Sequence, residues 1–282
     1  MAEELSQTEM IERAHRAALS VATTQGLKVE NAKLLHFGCN ATIRLYPYDI
    51  VARVSGRAGG FSSHAAARQR EIDVSRYLAD AGAPVVSPSS MIDAGLHEED
   101  GVIVSFWEYI EASESRRDRK YALDALHRCH EILADYPGEL PFLHGYADAR
   151  RLFLRYWRLG VLAGEEIHET LERISEMDHA LEIMKENMPS PPVPIHGDSH
   201  FANVICSANK SGVFWIDWED VSCGPVEWDY ACMMRFLADH PVRDFRLTRA
   251  FKAAIADRID PERFELMIEA RELQSDLWDM FP

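Results

Sequence analysis

Long apolar runs are missing from this sequence of 282 residues. Stretches such as Val102–Trp107 are strand-sized, far short of the roughly 20 residues that a membrane-crossing helix needs. Cysteine is scarce. Cys39, Cys129, Cys206, Cys223 and Cys232 are odd in number and form no C-x-x-C pair, which argues against a disulfide framework or a thiolate zinc site. The opening MAEELSQTEM carries acids where a secretory leader needs a basic stretch and an apolar core. Together these absences predict a soluble protein of a reducing compartment, expected in the cytoplasm. Positive charge is also short: 30 Lys and Arg face 46 Asp and Glu, a net charge of −16. Such a field repels phosphate backbones, so neither a nucleic acid nor an anionic membrane is expected as a partner. It suits a cationic ligand, although acidity also serves solubility alone. No Walker loop, Rossmann fingerprint or G-x-S-x-G elbow is present.

What is there reads as two regions of different character. Apolar positions at Met10, Ile11, Ala14, Ala17, Ala18 and Val21 predict a helix that stops at Gly26. Strand-type runs follow at 33–37, 41–46 and 49–54. A helix starting from Ser62 or Ser63 as N-cap then runs toward Gly82. Two further strands are expected at 90–94 and 102–108, flanking a polar turn at 97–101. Beyond about residue 110, helical patterns dominate at 119–135, 147–162 and 166–187, up to a proline-rich break at Ser190–Pro194. Short strand-like runs at 203–207 and 212–217 precede helices from about 226 to the end, with breaks near Pro241 and Pro261. The expected class is α+β. A small β-rich region with a leading helix (1–109) precedes a larger helical one (110–282), with the boundary near 108–114.

The most informative stretch is Pro194-Ile-His-Gly-Asp-Ser-His-Phe-Ala-Asn203, followed by Phe214-Trp-Ile-Asp217-Trp-Glu-Asp220. An Asn and an Asp at the two ends of a hairpin can converge on one hard cation, which prefers oxygen ligands. Asp198, free of the metal, could then orient a hydroxyl and accept its proton. Phosphoryl transfer from a Mg-nucleotide requires that division of labour.

His196-Gly-Asp-x-His-x-x-Asn203 with Ile216-Asp217-Trp-Glu-Asp220 resembles the aminoglycoside phosphotransferase/choline kinase superfamily of protein-kinase-like small-molecule kinases. Gly224-Pro-Val-Glu-Trp-Asp229 extends the likeness. The resemblance implies a two-lobed kinase-like fold that uses ATP or GTP with Mg²⁺. It makes Asp198 the catalytic base and Asn203 and Asp217 the metal ligands. His196 would support the catalytic loop, and Asp229 would brace the site from a helix start. By the same resemblance, Arg53 in Val51-Ala-Arg53-Val takes the place of a phosphate-touching Lys or Arg, and Glu71 is its helix partner. Gly38, between two strands, falls where the nucleotide-covering loop belongs. Trp107 and Tyr109 fall at the hinge that flanks adenine.

Rival readings are weaker. A protein kinase needs a long activation segment, yet only Trp218–Gly224 separates Asp217 from Pro225. A metal-dependent phosphoesterase needs Asp-x-His upstream and Gly-Asn-His downstream, and both are missing. A pseudokinase module is suggested only by Arg53 in place of lysine. His127 and His130 lack a carboxylate motif nearby and read as packing or surface. Glu219, Asp220, Glu227 and Asp229, with Glu269, Glu272, Asp276 and Asp279 on one helical face, offer either a solvated acidic face or a cleft wall for ammonium groups. The resemblance implies a small-molecule acceptor bearing a hydroxyl, and the cleft-wall alternative makes it cationic. An aminoglycoside or related amino sugar comes first, and an amino alcohol such as choline, or a sugar, second.

Overall fold

The computed structural model describes residues 6–38, 40–55, 61–113, 117–209, 212–239 and 245–281. It divides into two compact units, Met1–Asp118 with Ile205–Glu219, and Arg119–Val204 with Asp220–Pro282. No helix among the described residues is long and apolar enough to cross a membrane.

The first unit is a five-stranded antiparallel sheet in the order β1-β2-β3-β5-β4. Its strands are β1 (Asn31–Phe37), β2 (Asn40–Tyr46), β3 (Ile50–Ser55), β4 (His97–Glu99) and β5 (Val102–Glu108). Helix α1 (Gln7–Thr24) opens on a capping box, Ser6 with Glu9, which satisfies two otherwise orphan amides. Its Ala14, Ala17, Ala18 and Val21 pack with Ile43, Leu45, Ile50, Ala52, Val54 and Phe106. Successive strand residues point to opposite faces. Val51 accordingly leaves that core for a second cluster with Ile72, Val86, Trp107 and Ile110. Arg53 shares the parity of Val51 and so turns toward α2 (Phe61–Asp80), the helix that carries Ile72.

The sequence places two features differently. Among the described residues α2 is already helical at Phe61, so Ser62 and Ser63 lie within it rather than capping it. No strand forms at 90–94. Instead Asp93 caps the amide of Gly95 at 2.9 Å, and the strand lies at 97–99, inside the segment expected to be the turn. Asp100 and Gly101, at φ 51° and 68°, make a tight two-residue connection of the kind that needs positive φ at both positions. The expected five-residue turn is therefore shorter, and β4 pairs with β5 in register His97↔Val104 to Glu99↔Val102.

A two-stranded hairpin, β7 (Val204–Cys206) with β8 (Val213–Trp215), adds to this unit. Trp215 is fully buried. Its N–H donates to Pro84 O at 2.9 Å and its O accepts from Val86 N at 3.1 Å, while Cys206 O accepts from Ser113 N at 2.7 Å. These bonds place 205–219 with the first unit, whereas a cut in chain order at 109/110 leaves that segment with the second.

The second unit holds α3 (Ala122–Leu133), α4 (His144–Arg158), α5 (Glu165–Asn187), α6 (Glu227–Asp239), α7 (Phe245–Ile255) and α8 (Pro261–Asp279). A short antiparallel pair, β6 (Val193–Ile195) with β9 (Ser222–Gly224), joins them. Helix α8 starts on Asp260, whose side chain accepts from Arg263 N, with proline in the first turn, a strong start signal. Tyr146, Phe153, Ile174, Trp228, Met267 and Leu277 belong to the core of this unit.

Phe106→Ala in the sheet–α1 core is expected to destabilise the protein by about 3–5 kcal/mol. Leu35→Ala, at a β1 position exposed by a bulge between Leu34 and His36, should change stability by less than about 0.5 kcal/mol. Urea unfolding midpoints of the two variants check this.

Candidate functional site

In the second unit, β6 runs into a loop that Asp229 holds from the first turn of α6. Asp229 is fully buried. Its Oδ2 accepts from His196 N at 2.8 Å and its Oδ1 from Gly197 N at 2.9 Å. The His130 Nε2–H donates to Oδ2 at 2.7 Å. Burial pushes this carboxyl up, but the His130 contact and the His196 amide outweigh it and hold the group below the usual range. The loop is tied to the same turn twice more: Ser199 Oγ donates to Asp229 O at 2.8 Å, and Trp228 Nε1 donates to Gly197 O at 2.8 Å. Gly197 has φ 87°, and a Cβ there would lie 2.0 Å from Asp220 O. Only glycine fits that position.

His130 thus belongs to the framework of the loop, not to the surface or general packing expected of it. Its neighbour one turn back, His127, meets Tyr230 Oη at 2.9 Å. The i, i+3 spacing placed the two rings on one face, but their partners stand about 100 residues away in sequence.

Asp198 follows Gly197. Its Oδ2 accepts from Asn203 Nδ2 at 3.1 Å, and its backbone O accepts from the same amide at 2.9 Å. A turn of 3-10 helix at Phe201–Asn203 brings Asn203 back to it. His200 Nδ1 accepts from Ala202 N at 3.2 Å, so its Nε2, 3.3 Å from Asp198 Oδ2, is the donor nitrogen. Stacking on Phe236, with centroids 5.6 Å apart and 12° between planes, sets the ring's direction. The other oxygen, Oδ1, accepts from Arg271 Nη2 of α8 at 2.5 Å. Arg271 Nη1 in turn donates to Gln274 Oε1 at 2.7 Å. Burial resists ionisation of Asp198, yet the Arg271 guanidinium and the His200 and His196 rings bring its carboxyl down to about 2. Asp198 and Asn203 are therefore brought together by hydrogen bonds within one loop. Arg271 was missed, since it lies 73 positions away on a helix without a motif, and His200 stood in the motif with no role assigned to it.

In the first unit, Arg53 is the centre of a charged cluster. Its Nη1 donates to Glu71 Oε1, and its Nη2 to Asp217 Oδ1 at 2.6 Å and Glu219 Oε2 at 3.2 Å. Burial opposes the Arg53 charge, but Asp217, Glu71 and Glu219 keep it protonated. Glu71, almost wholly buried, is pushed up to about 7 by burial, with Arg53 opposing and Asp217 and Glu219 adding repulsion. Asp217 sits at φ 67°, a left-handed conformation that costs on the order of 1 kcal/mol.

The remaining candidates are placed as follows. Gly38 N donates to Asn40 O at 3.1 Å; its neighbour Cys39 lies outside the described residues. Trp107 is buried in the Val51–Ile72 cluster, its Nε1 donating to Ser105 Oγ at 3.0 Å. The Tyr109 ring lies under the Arg44 guanidinium, 3.6 Å from its centroid. The carboxylates read as either a solvated acidic face or a cleft wall have separate surroundings. Asp229 holds the loop, Glu219 meets Arg53, and Glu227 accepts from Asp260 N and Arg263. Asp276 pairs with Arg173 at 2.7 Å, while Glu269, Glu272 and Asp279 are exposed.

Among the described residues no three His, Cys, Asp or Glu side chains form a ready-made metal cage. Each unit by itself nevertheless offers an oxygen donor of the kind that hard cations take. With its amide nitrogen committed to Asp198, Asn203 has its carbonyl oxygen as the remaining ligand atom, and Asp217 has a second carboxylate oxygen.

A model of the phosphotransferase enzyme family (APH) matches residues 49–266. No curated protein matches the sequence. Among solved structures, the chain is similar to aminoglycoside phosphotransferase APH(3'')-Id of Streptomyces rimosus in complex with ADP and streptomycin. The TM-score is 0.65 at 17% identity, covering 92% of this chain and 98% of that one. It is similar to a choline/ethanolamine kinase family protein of Mesorhizobium loti, with TM-score 0.60 and 19% identity over 95% and 85% of the two chains. A third is the GDP and kanamycin complex of APH(2")-IIia, with TM-score 0.59 and 15% identity over 92% and 89%. At these identities the likeness is one of fold, α+β and protein-kinase-like, with a sheet-containing N-terminal lobe and a helical C-terminal one.

Asp229→Asn is expected to destabilise the protein at neutral pH by about 2–4 kcal/mol, because the amide cannot accept all three donors. A carboxyl whose folded-state pKa is depressed stabilises above its unfolded value of about 4 and loses that contribution as pH falls through the folded one. The stability gap between wild type and Asp229→Asn should therefore shrink below about pH 4, as thermal melts across pH would show.

Proposed function

Because the chain belongs to the phosphotransferase enzyme family, we propose that it transfers the γ-phosphoryl group of ATP, or of GTP, to a hydroxyl of a small molecule. The observation that carries this reading is the setting of Asp198, an ionised carboxylate on a loop pinned by Asp229 and oriented by Arg271, Asn203 and His200. Phosphoryl transfer asks little covalent chemistry of a protein; positioning and charge stabilisation dominate. In this reading Asp198 accepts the hydrogen bond of the acceptor hydroxyl, aligns its oxygen for attack and takes its proton as the P–O bond forms. Arg53, oriented by Glu71, grips phosphate oxygens through a planar fork that stays charged at every working pH. Asn203 and Asp217 hold Mg²⁺ by one oxygen each. The chemistry that Mg²⁺ would supply there is compensation of the charge that develops on the phosphates.

The N-terminal unit, on this account, supplies the nucleotide contacts and the C-terminal unit the base and the acceptor contacts. Gly38 marks the nucleotide-covering turn, and Trp107 and Tyr109 the stretch beside the base. Support for the nucleotide comes from the ADP and GDP complexes of the similar structures. For the acceptor, streptomycin and kanamycin in those complexes favour an amino sugar, and the choline/ethanolamine kinase family protein favours an amino alcohol as the second reading. Both are cations, which the net charge of −16 suits. The four described cysteines are free thiols, in keeping with work in the cytoplasm.

Two variants test the assignment. Asp198→Asn should lower turnover by about 100-fold or more while leaving nucleotide affinity within about twofold. Asp217→Ala should abolish the Mg²⁺ dependence of nucleotide binding, because its carboxylate carries the charge that holds the cation. Calorimetric titration with nucleotide, beside ADP release over a panel of hydroxylated amines and amino sugars, reads both. Near-normal turnover in Asp198→Asn removes the base, and unaltered Mg-nucleotide binding in Asp217→Ala removes the metal site.

A further inference from the structure

Beside Arg53 the first unit buries a second guanidinium, one that no motif marks. Arg68 lies on α2 three residues before Glu71, so the two share a helical face. The residue is 8% exposed. Its Nη2 donates to Asn40 Oδ1, its closest carboxylate contact is Glu219 Oε2 at 3.9 Å, and its Nε, fully buried, finds no hydrogen-bond partner among the described residues.

A buried N–H left without an acceptor costs about 1–3 kcal/mol, and more on a charged group. Arg53 is satisfied by carboxylate oxygens of Glu71, Asp217 and Glu219. Arg68 is not, and both burial and the neighbouring Arg53 charge push its pKa down. What this corner of the cluster wants is an anionic oxygen acceptor beside Nε. Its location matters too. Asn40 is the first residue of β2, two positions after Gly38 in sequence. Through Asn40 the Arg68 side chain joins the start of β2 to the helix that orients Arg53.

We propose that Arg68 is a second phosphate-binding arginine, which donates from Nε to the polyphosphate of the nucleotide while Nη2 remains on Asn40. This rests on the phosphotransferase reading of the same site. It adds that the polyphosphate is held by two guanidiniums from different elements, β3 and α2. Guanidinium–phosphate hydrogen bonds are directional and charge-assisted, and lysine at position 68 would keep the charge but lose the fork.

The test is calorimetric binding of ADP or GDP, whichever the wild type takes, and of the corresponding nucleoside. Arg68→Gln should weaken diphosphate binding by about 10-fold or more and leave nucleoside binding within about twofold, since only the phosphates meet Arg68. Arg68→Lys should fall between, with a loss of about threefold or more. A purely structural brace between α2 and Asn40 would weaken nucleoside and diphosphate alike, and that result overturns the proposal. So does unchanged affinity for both. If Arg68→Gln does not fold, Arg68→Lys carries the test, and diphosphate affinity equal to wild type overturns it. A wild type that binds neither nucleotide nor nucleoside overturns the phosphotransferase reading itself, whereas intact wild-type binding with an indifferent position 68 overturns this inference alone.

Discussion

Taking a carboxylate fully out of water costs several kcal/mol unless its oxygens find donors, and Asp229 finds them in the backbone of the loop that carries Asp198. Two consecutive amides, at His196 and Gly197, and one imidazole fill its acceptor sites. Much else in the second unit follows from this arrangement. Residue 197 must be glycine, because the backbone of Asp220 passes where a Cβ would be. Trp228 must present its indole N–H to Gly197 O. Helix α3 must bring His130 to the same carboxylate. A buried charge satisfied by a loop's own amides makes the loop's conformation as rigid as the core around it, so Asp198 is aimed by packing rather than by local preference.

The same logic operates around Arg53 in the first unit, with the sign reversed. There a buried guanidinium gathers carboxylates from α2 and from the segment after β8. Strand alternation decides that Arg53 faces this way: Ala52 and Val54 fill the α1 side of the sheet, which leaves odd-numbered β3 positions for α2. Both centres place ionised groups where water is scarce and hydrogen bonds are directional, the setting in which charge stabilises a transition state most effectively. The Asp229 centre also joins residues of a recognisable motif to His130, which no motif marks.

That difference sets what could be read from the sequence. The helices announced themselves through apolar periodicity, and α1 through Ser6 and Glu9 as well. His196 to Asn203, with Asp217, was legible because the chemistry fixes local spacing within one loop and one hairpin. Arg53 and Glu71 were legible through their place on strand and helix. What escaped notice depends on contacts distant in sequence. Arg271 and His130 gain meaning only when the fold carries them to Asp198 and Asp229. Glu269, Glu272, Asp276 and Asp279 read as one helical face because spacing shows which residues share a face, not that Arg173 lies opposite Asp276. β4 escaped because a His-Glu-Glu strand has no apolar alternation; its partner β5 and the positive-φ pair at Asp100 and Gly101 make it a strand.

The central claim is that a phosphoryl group moves to a hydroxyl of a small molecule. Phosphorus NMR of the protein with Mg·ATP, or Mg·GTP, and a mixture of amino sugars and amino alcohols tests it most directly. The account predicts a new phosphomonoester resonance that grows in step with the nucleoside diphosphate and is missing when the acceptors are withheld. Nucleotide left intact with every acceptor, or inorganic phosphate as the sole new product, would contradict it.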